Sequence, residues 1–295
     1  MHEILHIIWH SFVDSIKLLP FLFLTYLLME YIEHHSSDIA QKILKRSGQF
    51  GSLIGSSLGL IPQCGFSSAA ASFYSARVIS IGTLIAVFLS TSDEMLPILI
   101  SNSISLNLIF RILLVKFIVA LLVGTTIDFT VKAINKRKSI SQESKIEEFC
   151  EREDCHCHHS VIKPALIHTL KVGGFIFVVT LALNIIIHCI GEGNIANIIL
   201  NKPIIANIIS AFVGVIPNCA SSVIVTELYA SGILSSGAMI SGLLINSGVA
   251  LAVLFRTNHP KKDTLKIILI LFFVSIIAGI IVDLSPIGNW LSINS

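Results

Sequence analysis

Charged residues are scarce in this chain of 295 residues: they make up 13% of it, against 54% for hydrophobic residues. Soluble domains carry about a quarter charged residues, so this deficit indicates a lipid environment. A helix needs about 20 residues to cross a bilayer core, and an open sheet cannot satisfy its backbone there. The sequence therefore predicts an all-α integral membrane protein with apolar segments at Ile16–Tyr31, Val78–Leu89, Leu106–Ile127, Phe175–Ile187, Ile233–Phe255 and Leu265–Val282.

Three further absences narrow the class of protein. No basic residue precedes Lys17, so we expect no cleavable signal peptide and a first span that acts as its own targeting signal. The six cysteines lack the spacing of a small secreted disulfide framework. No phosphate-binding Gly-x-x-x-x-Gly-Lys-Ser/Thr sequence occurs, which argues against ATP drive by this chain. We expect neither an enzymatic activity nor a nucleic-acid partner.

The chain contains an internal repeat. Segment 61–68 reads IPQCGFSS, and segment 216–223, which lies 155 positions later, reads IPNCASSV. A constant offset over a long stretch indicates two homologous halves. The same offset pairs Tyr74 with Tyr229, Gly82 with Gly237, Gly124 with Gly279, and Asp128 with Asp283. We therefore expect a first repeat over 1–130, a linker over 131–164 and a second repeat over 165–295.

Basic residues flank opposite ends of the two repeats. Loop 36–50 carries three of them and its counterpart 190–204 carries one, whereas 256–265 carries three and its counterpart 101–110 carries none. Lysine and arginine prefer the cytoplasmic side, so this exchange predicts inverted repeats. The alternative, eight ordinary spans in parallel repeats, leaves the charge pattern unexplained. On the inverted arrangement the linker is cytoplasmic and both termini are external.

Each repeat is expected to contain one segment too short to cross the bilayer twice. Segment 51–75 follows a basic loop and precedes Arg77, so both of its ends belong on the cytoplasmic side. Pro62 interrupts it, and Pro217 interrupts the matching segment 205–230. We interpret both segments as re-entrant helical hairpins. Each half then has three full spans plus one hairpin, which gives ten helices when half-helices are counted.

The two hairpin tips are candidate substrate-binding sites. Hairpins that enter from opposite faces meet near the midplane, where irregular backbone is tolerated only if it is buried or lines a cavity. Amide and hydroxyl groups offer oxygen ligands, and a thiolate suits soft metals. Small residues for helix packing are the alternative interpretation. The candidate residues are Gln63, Cys64, Ser67 and Ser68 in the first tip, and Asn218, Cys219, Ser221 and Ser222 in the second.

A second polar segment interrupts an apolar span in each half. Thr91, Ser92, Asp93 and Glu94 precede Pro97, which predicts another helix break. Adjacent acids inside a span are costly, at ~2.5–3.5 kcal/mol each, so we read Asp93 and Glu94 as cation ligands or proton acceptors. A wet position at the external interface is the alternative. The matching residues of the second half are uncharged, namely Asn246 and Ser247.

The linker carries a dense group of potential metal ligands. Three thiols and three imidazoles lie within ten residues, but not with the spacing of a zinc finger. On the cytoplasmic side this segment could capture or sense a thiophilic metal, whereas a solvated linker without a role is the alternative. The candidate ligands are Cys150, Cys155, His156, Cys157, His158 and His159.

These motifs together resemble the ten-helix heavy-metal exporter family. The resemblance rests on the tip motif 61–67, its partner 216–222, the Ser92-Asp93-Glu94 sequence and the Cys/His-rich linker, and it covers 11–285. Members of that family are described as arsenic efflux proteins or manganese transporters. The resemblance implies a permease of the prokaryotic inner membrane.

The sequence therefore predicts a secondary transporter that exports a heavy-metal or metalloid ion, either a divalent cation of the manganese or zinc type or arsenite. Protons or sodium are candidate coupling ions, and no permanently bound cofactor is expected. A permease for an organic or inorganic anion is one alternative. A membrane thiol–disulfide oxidoreductase that uses Cys64 and Cys219 is another. The predicted partners are the transported ion and the lipid bilayer, with a homodimer as a candidate assembly.

Overall fold

A computed structural model of the chain describes residues 50–62, 64–92, 94–138 and 203–293, with scattered positions in 13–27 and 162–181. The regular elements in these ranges are helices. Helix α1 is described over 50–59 and is followed by α2 (Cys64–Ser75), α3 (Ile81–Ser90), α4 (Met95–Ser101) and α5 (Leu106–Lys138). The second half contains α6 (Pro203–Val215), α7 (Cys219–Ala230), α8 (Ser236–Ile245), α9 (Ala250–Thr257), α10 (Lys261–Leu284) and α11 (Pro286–Trp290).

Four stretches of the described chain are long and apolar enough to cross a membrane. They are Ile81–Ser101, Leu106–Ile134, Ser236–Thr257 and Lys261–Leu284, and each contains most or all of a segment predicted from the sequence. Helices α5 and α10 carry large exposed apolar side chains along one face, as expected for helices that contact lipid. Span Ser236–Thr257 is almost wholly buried. The predicted all-α, multi-pass membrane fold is confirmed.

The helices are interrupted at equivalent places in the two halves. Helices α2 and α7 begin and end at residues that lie 155 positions apart, and so do α3 and α8. The interruptions between α1 and α2 and between α6 and α7 fall at Pro62 and Pro217, where the sequence predicted them. The third interruption, between α3 and α4, precedes Pro97 rather than following from it. Pro97 lies in the first turn of α4, where its missing N–H costs no intrahelical hydrogen bond.

In the first half, α1 and α2 fold back on each other. Gly55 packs against Thr83 and Gly59 packs against Ser90, so α1 and α3 run in the same direction. Helix α2 must therefore return the chain to the level at which α1 began, and α1 and α2 share an apolar cavity of about 360 Å³ with α3. The turn at 60–63 consequently lies beside the end of α3.

The second half repeats this arrangement. Gly242 of α8 packs against Ser210 of α6, and Gly214 packs against Ile245, so α6 and α8 run in the same direction. Helix α7 runs back along α8, because Asn246 contacts its first turn and Gly242 contacts Val225 farther along. The turn between α6 and α7 therefore lies beside the end of α8.

One carboxylate joins three helices of the first half. Asp128 of α5 accepts hydrogen bonds at Oδ1 from the Gly82 amide (3.0 Å) and at Oδ2 from the hydroxyls of Ser80 (2.9 Å) and Ser52 (3.2 Å). Ser80 also caps α3 by accepting from the Thr83 amide. A carboxylate at a helix N-terminus is favourable, so Asp128 fixes the start of α3 against α1 and α5.

The second half contains the same anchor. Asp283 of α10 accepts from the Gly237 amide (2.8 Å), the Ser235 hydroxyl (3.1 Å) and the Asn207 side-chain amide (2.7 Å). Each of these groups lies 155 positions after its counterpart in the first half. The repeat seen in the sequence is thus also a repeat of contacts.

The halves pack against each other through exchanged pairs of helices. Helix α2 packs against α9, its counterpart α7 packs against α4, and α3 contacts α8. The hydroxyls of Ser75 and Thr257 lie 2.7 Å apart where α2 and α9 end, and Asn102 at the end of α4 donates to Glu227 of α7 (3.2 Å). The contacts between the halves are therefore reciprocal.

Candidate substrate site

In the second half, the hairpin tip and the neighbouring helix break are joined directly. The side-chain amide of Asn246 donates to the hydroxyl of Ser221. The Ser221 hydroxyl also lies 2.6 Å from the Asn218 carbonyl oxygen, and the Asn218 side chain caps α7 by accepting from the Ala220 amide (3.4 Å). All three predicted site residues, Asn218, Ser221 and Asn246, are buried. The structure thus brings together residues that lie up to 28 positions apart in the sequence.

Polar groups within the interruption after α8 form hydrogen bonds with one another. Asn246 Oδ1 accepts from the Gly248 amide (2.9 Å), and Gly248 has a φ of 56°, a left-handed conformation that suits glycine. Ser222 donates to the carbonyl oxygen of Cys219 (2.8 Å), and Cys219 itself is a half-buried thiol at the start of α7. The first turn of α7 therefore lies beside this interruption through the bond between Ser221 and Asn246.

The first half also places its predicted hydroxyls at the start of α2 and after α3. Ser67 and Ser68 are buried in the first turns of α2, and Thr91 and Ser92 are buried after α3. The Thr91 hydroxyl donates to the Val87 carbonyl (2.8 Å). The Ser92 hydroxyl donates to the Ser90 carbonyl (2.9 Å). Because these hydroxyl protons bond to the local backbone, the segment offers oxygen lone pairs rather than donors.

Two buried hydroxyls near the interruptions have no partner within the described residues. Ser68 and Ser247 are both 0% exposed, and neither Oγ forms a hydrogen bond there. An unsatisfied buried hydroxyl costs about 1–3 kcal/mol, so such groups mark places where water or a solute binds. Helix α2 packs against α9, which starts three residues after Ser247. Ser68 thus lies in one of these two helices, and Ser247 lies just before the other.

Lys116 is a member of this region to which sequence reasoning gave no role. It lies within span Leu106–Ile134, is 0% exposed, and donates from Nζ to the carbonyl oxygens of Thr91 and Leu243, the latter at 3.2 Å. The ammonium thus touches the interruption of the first half and the last turn of α8 in the second. The sequence does contain a sign of its importance: it is a lone lysine within an apolar span. Placing such a charge in a membrane costs free energy, so these lysines usually have a function.

Of the two predicted acidic ligands in the first half, Glu94 lies among the described residues. Glu94 is half-buried at the N-cap of α4 and makes no side-chain capping bond. Among the residues that the structure describes, no three His, Cys, Asp or Glu side chains form a group able to hold a metal ion. The remaining predicted residues lie outside that part of the chain: Gln63, Asp93, the side chain of Cys64, and Cys150, Cys155, His156, Cys157, His158 and His159.

Helix ends lie at each of these interruptions. Helices α2 and α7, each of 12 residues, begin at the hairpin tips and direct their positive ends inward. Helices α3 and α8 end at the interruptions and direct free carbonyl groups, their negative ends, inward. Such an arrangement can hold a small polar or charged solute without a covalent step.

Interrupted helices with buried polar groups, inside an all-helical bundle of apolar spans, are typical of membrane transporters. The chain belongs to a family of such proteins, because a family model described as "Putative, 10TM heavy-metal exporter" matches residues 3–192 and 168–294. The two segments together cover nearly the whole sequence, and they confirm the resemblance drawn from the tip motifs. No curated protein and no solved structure matches the chain. Membership supports a multi-pass transporter of metals.

Proposed function

We propose that this protein is an ion-coupled secondary transporter that exports a heavy-metal or metalloid ion, of the manganese or zinc type or of the arsenite class. The observation that carries this proposal is the hydrogen bond between Ser221 and Asn246, which joins a hairpin tip to a helix interruption inside the bundle. Polar backbone at such depth is retained where it lines a path for a solute. Family membership supplies the heavy-metal class.

The proposed membrane topology has two inverted repeats, 1–130 and 165–295, joined by a cytoplasmic linker over 131–164. The reciprocal packing of α2 on α9 and of α7 on α4 supports it. So does the charge pattern: Ser75 and Thr257 meet at the face that also carries Arg77 and Lys261, which fits the cytoplasmic side. On this topology, hairpins 51–75 and 205–230 are re-entrant and both termini are external. The inner membrane of a prokaryote is the expected location.

The metal ligands in this proposal come from both halves. Cys64 and Cys219 begin α2 and α7, and Asp93 and Glu94 lie in the interruption after α3. Thiolates favour zinc or arsenite, whereas carboxylate and amide oxygens favour manganese. Alternating access would shift one half against the other across the α2–α9 and α4–α7 interfaces. The Cys/His-rich linker would hand a captured metal to this site.

One structural feature favours a second candidate, a permease for an anion. The N-terminal ends of α2 and α7 carry positive partial charge, and such ends bind anions. Purified protein in liposomes distinguishes the two functions, because the proposal expects flux of a metal or of arsenite. Flux of phosphate or a carboxylate without metal flux would replace the proposal by this candidate.

Metal tolerance of a host that lacks its own exporters tests the function directly. We expect the wild-type chain to raise tolerance to at least one metal or to arsenite, and Cys64→Ser, Cys219→Ser and Asp93→Asn to abolish the gain at unchanged membrane abundance. Ser231→Ala is the matched control, because Ser231 is exposed at the far end of α7. Wild-type tolerance in all three site variants would remove these residues from the mechanism.

A further inference from the structure

Lys116 occupies a place where helix ends expose backbone oxygens. The carbonyl of Leu243 is one of the last of α8, and the amide N–H that would donate to it in a continued helix lies beyond the end at Ile245. The carbonyl of Thr91 follows the end of α3. Both oxygens therefore carry the partial negative charge of a helix C-terminus. Lys116 Nζ donates to both of them.

Oxygens of this kind form cation sites in transporters with interrupted helices. Unwound carbonyls and the C-terminal ends of half-helices coordinate the coupling sodium ion or proton there. Here the two carbonyls come from opposite halves of the chain, so an ion bound between them would contact both. A fully buried ammonium now lies in that position. An ammonium has three donors and the same charge as a sodium ion, so it can replace one.

Comparison of the two repeats shows that a lysine occurs at this position in the first half alone. The residue 155 positions after Lys116 is Leu271, which is 0% exposed in α10. The internal symmetry therefore does not require a positive charge here, because the second half packs a leucine at the same level. A lysine within a span has an insertion cost of about 2.5–3.5 kcal/mol, which packing alone does not explain.

We propose that the Lys116 ammonium is a tethered cation that fills the coupling-cation site of this transporter. This inference rests on the proposed function and narrows its coupling: transport needs no sodium ion at this site. The tether also links the halves electrostatically, because one donor group bonds to Thr91 of the first half and Leu243 of the second. Removing the side chain should leave a space lined by carbonyl oxygens that a monovalent cation can enter.

The thermal stability of the purified full chain tests this inference without any transported solute. Wild type and Lys116→Ala are compared in sodium chloride, potassium chloride and choline chloride at equal ionic strength. We expect the wild-type Tm to be the same in all three salts. Lys116→Ala should melt lower in choline and recover by about 3 °C or more in sodium or potassium chloride, with saturation, because a bound ion stabilises the folded state.

Two further variants separate ion binding from packing. Leu271→Ala removes a buried side chain from the equivalent position and should lower the Tm equally in every salt. Lys116→Met keeps the length of the side chain, leaves no space for an ion, and should also show no dependence on the cation. A sodium-specific stabilisation of wild type overturns the inference, and so does a Lys116→Ala protein that melts identically in all salts.

If Lys116→Ala unfolds during purification in choline, purification in sodium chloride is expected to rescue it, and failure in both salts counts against the tethered cation. A metal-tolerance assay separates the role of Lys116 as a tethered cation from the proposed export function. Wild-type cells should keep their metal tolerance in sodium-free medium. Loss of tolerance in sodium-free medium alone would overturn the inference. Absence of any gain in metal tolerance with or without sodium would refute the exporter proposal, and the salt dependence of the Tm would still judge the role of Lys116.

Discussion

The carboxylate of Asp128 caps a helix other than its own: Asp128 lies in α5, and its Oδ1 accepts from the Gly82 amide at the start of α3, at 3.0 Å. Gly82 has no side chain, and a Cβ there would overlap the Asp128 carboxylate and the carbonyl of Gly124. Asp283 and Gly237 repeat this bond at 2.8 Å. The position of α3, and with it the interruption that follows α3, therefore depends on one carboxylate.

Replacing Asp128 by alanine should destabilise the protein strongly. The change leaves the buried donors of Gly82 and Ser52 without an acceptor, and lost caps and unsatisfied donors each cost about 1–2 kcal/mol. We expect a clear fall in Tm in detergent and a smaller fall for Asp128→Asn, which keeps one acceptor oxygen. Asp283→Ala should behave like Asp128→Ala. A Tm within 1 °C of wild type for Asp128→Ala would contradict the anchoring role.

The bond between Ser221 and Asn246 should appear as coupling between two mutations. Ser221→Ala leaves the buried Asn246 amide without this acceptor, so each single variant should lower stability by about 1–3 kcal/mol. The double variant should cost less than the sum of the singles, with a coupling of about 0.5–3 kcal/mol in a double-mutant cycle of unfolding. Ser222→Ala is the control, because the Ser222 hydroxyl donates to the Cys219 carbonyl within its own turn. Additive losses at 221 and 246 would show that the bond does not form.

Gly59→Ala should disturb the site by a steric clash, without removing any proposed ligand. A Cβ on Gly59 would meet the hydroxyl of Ser90 and the carbonyl of Val87, so α1 and α3 would have to separate beside the interruption. We expect a loss of metal tolerance together with a lower Tm. Gly174→Ala is the matched control, because nothing lies within 4 Å of the added carbon and alanine favours helix. Equal behaviour of the two variants would argue against a close approach of α1 and α3.

Much of this fold could be predicted because the sequence features that determine it are local or occur in both halves. Pro62 and Pro217 each interrupt an apolar segment, and their recurrence after 155 residues identified two equivalent hairpins. The polar segment 91–94 is expected to interrupt a span, and the structure has the interruption there, although the prediction relied on Pro97. A proline in the first turn of a helix follows a break without causing it.

The missing parts of the site depend on contacts between distant segments. Lys116 lies 127 positions from Leu243, and its repeat counterpart is a leucine, so neither spacing nor repetition points to the pair. The partners of Asp128 are 46, 48 and 76 positions away. A sequence pattern shows that these residues are unusual in an apolar span, but only tertiary packing decides what they bind.

The last prediction concerns Arg77, which joins the two halves at the proposed cytoplasmic face. Arg77 bonds to Asp263 at 3.0 Å and stacks on the Tyr74 ring at 4.9 Å, but its backbone has a φ of 59°, a left-handed conformation that glycine adopts at the equivalent position 232. Arg77→Ala keeps this strain and loses the partly exposed ion pair, whereas Arg77→Gly loses the same pair and relieves about 1 kcal/mol of strain. We therefore expect Arg77→Gly to melt about 2–4 °C above Arg77→Ala. A glycine variant that melts below the alanine variant would show that the left-handed backbone at position 77 costs nothing.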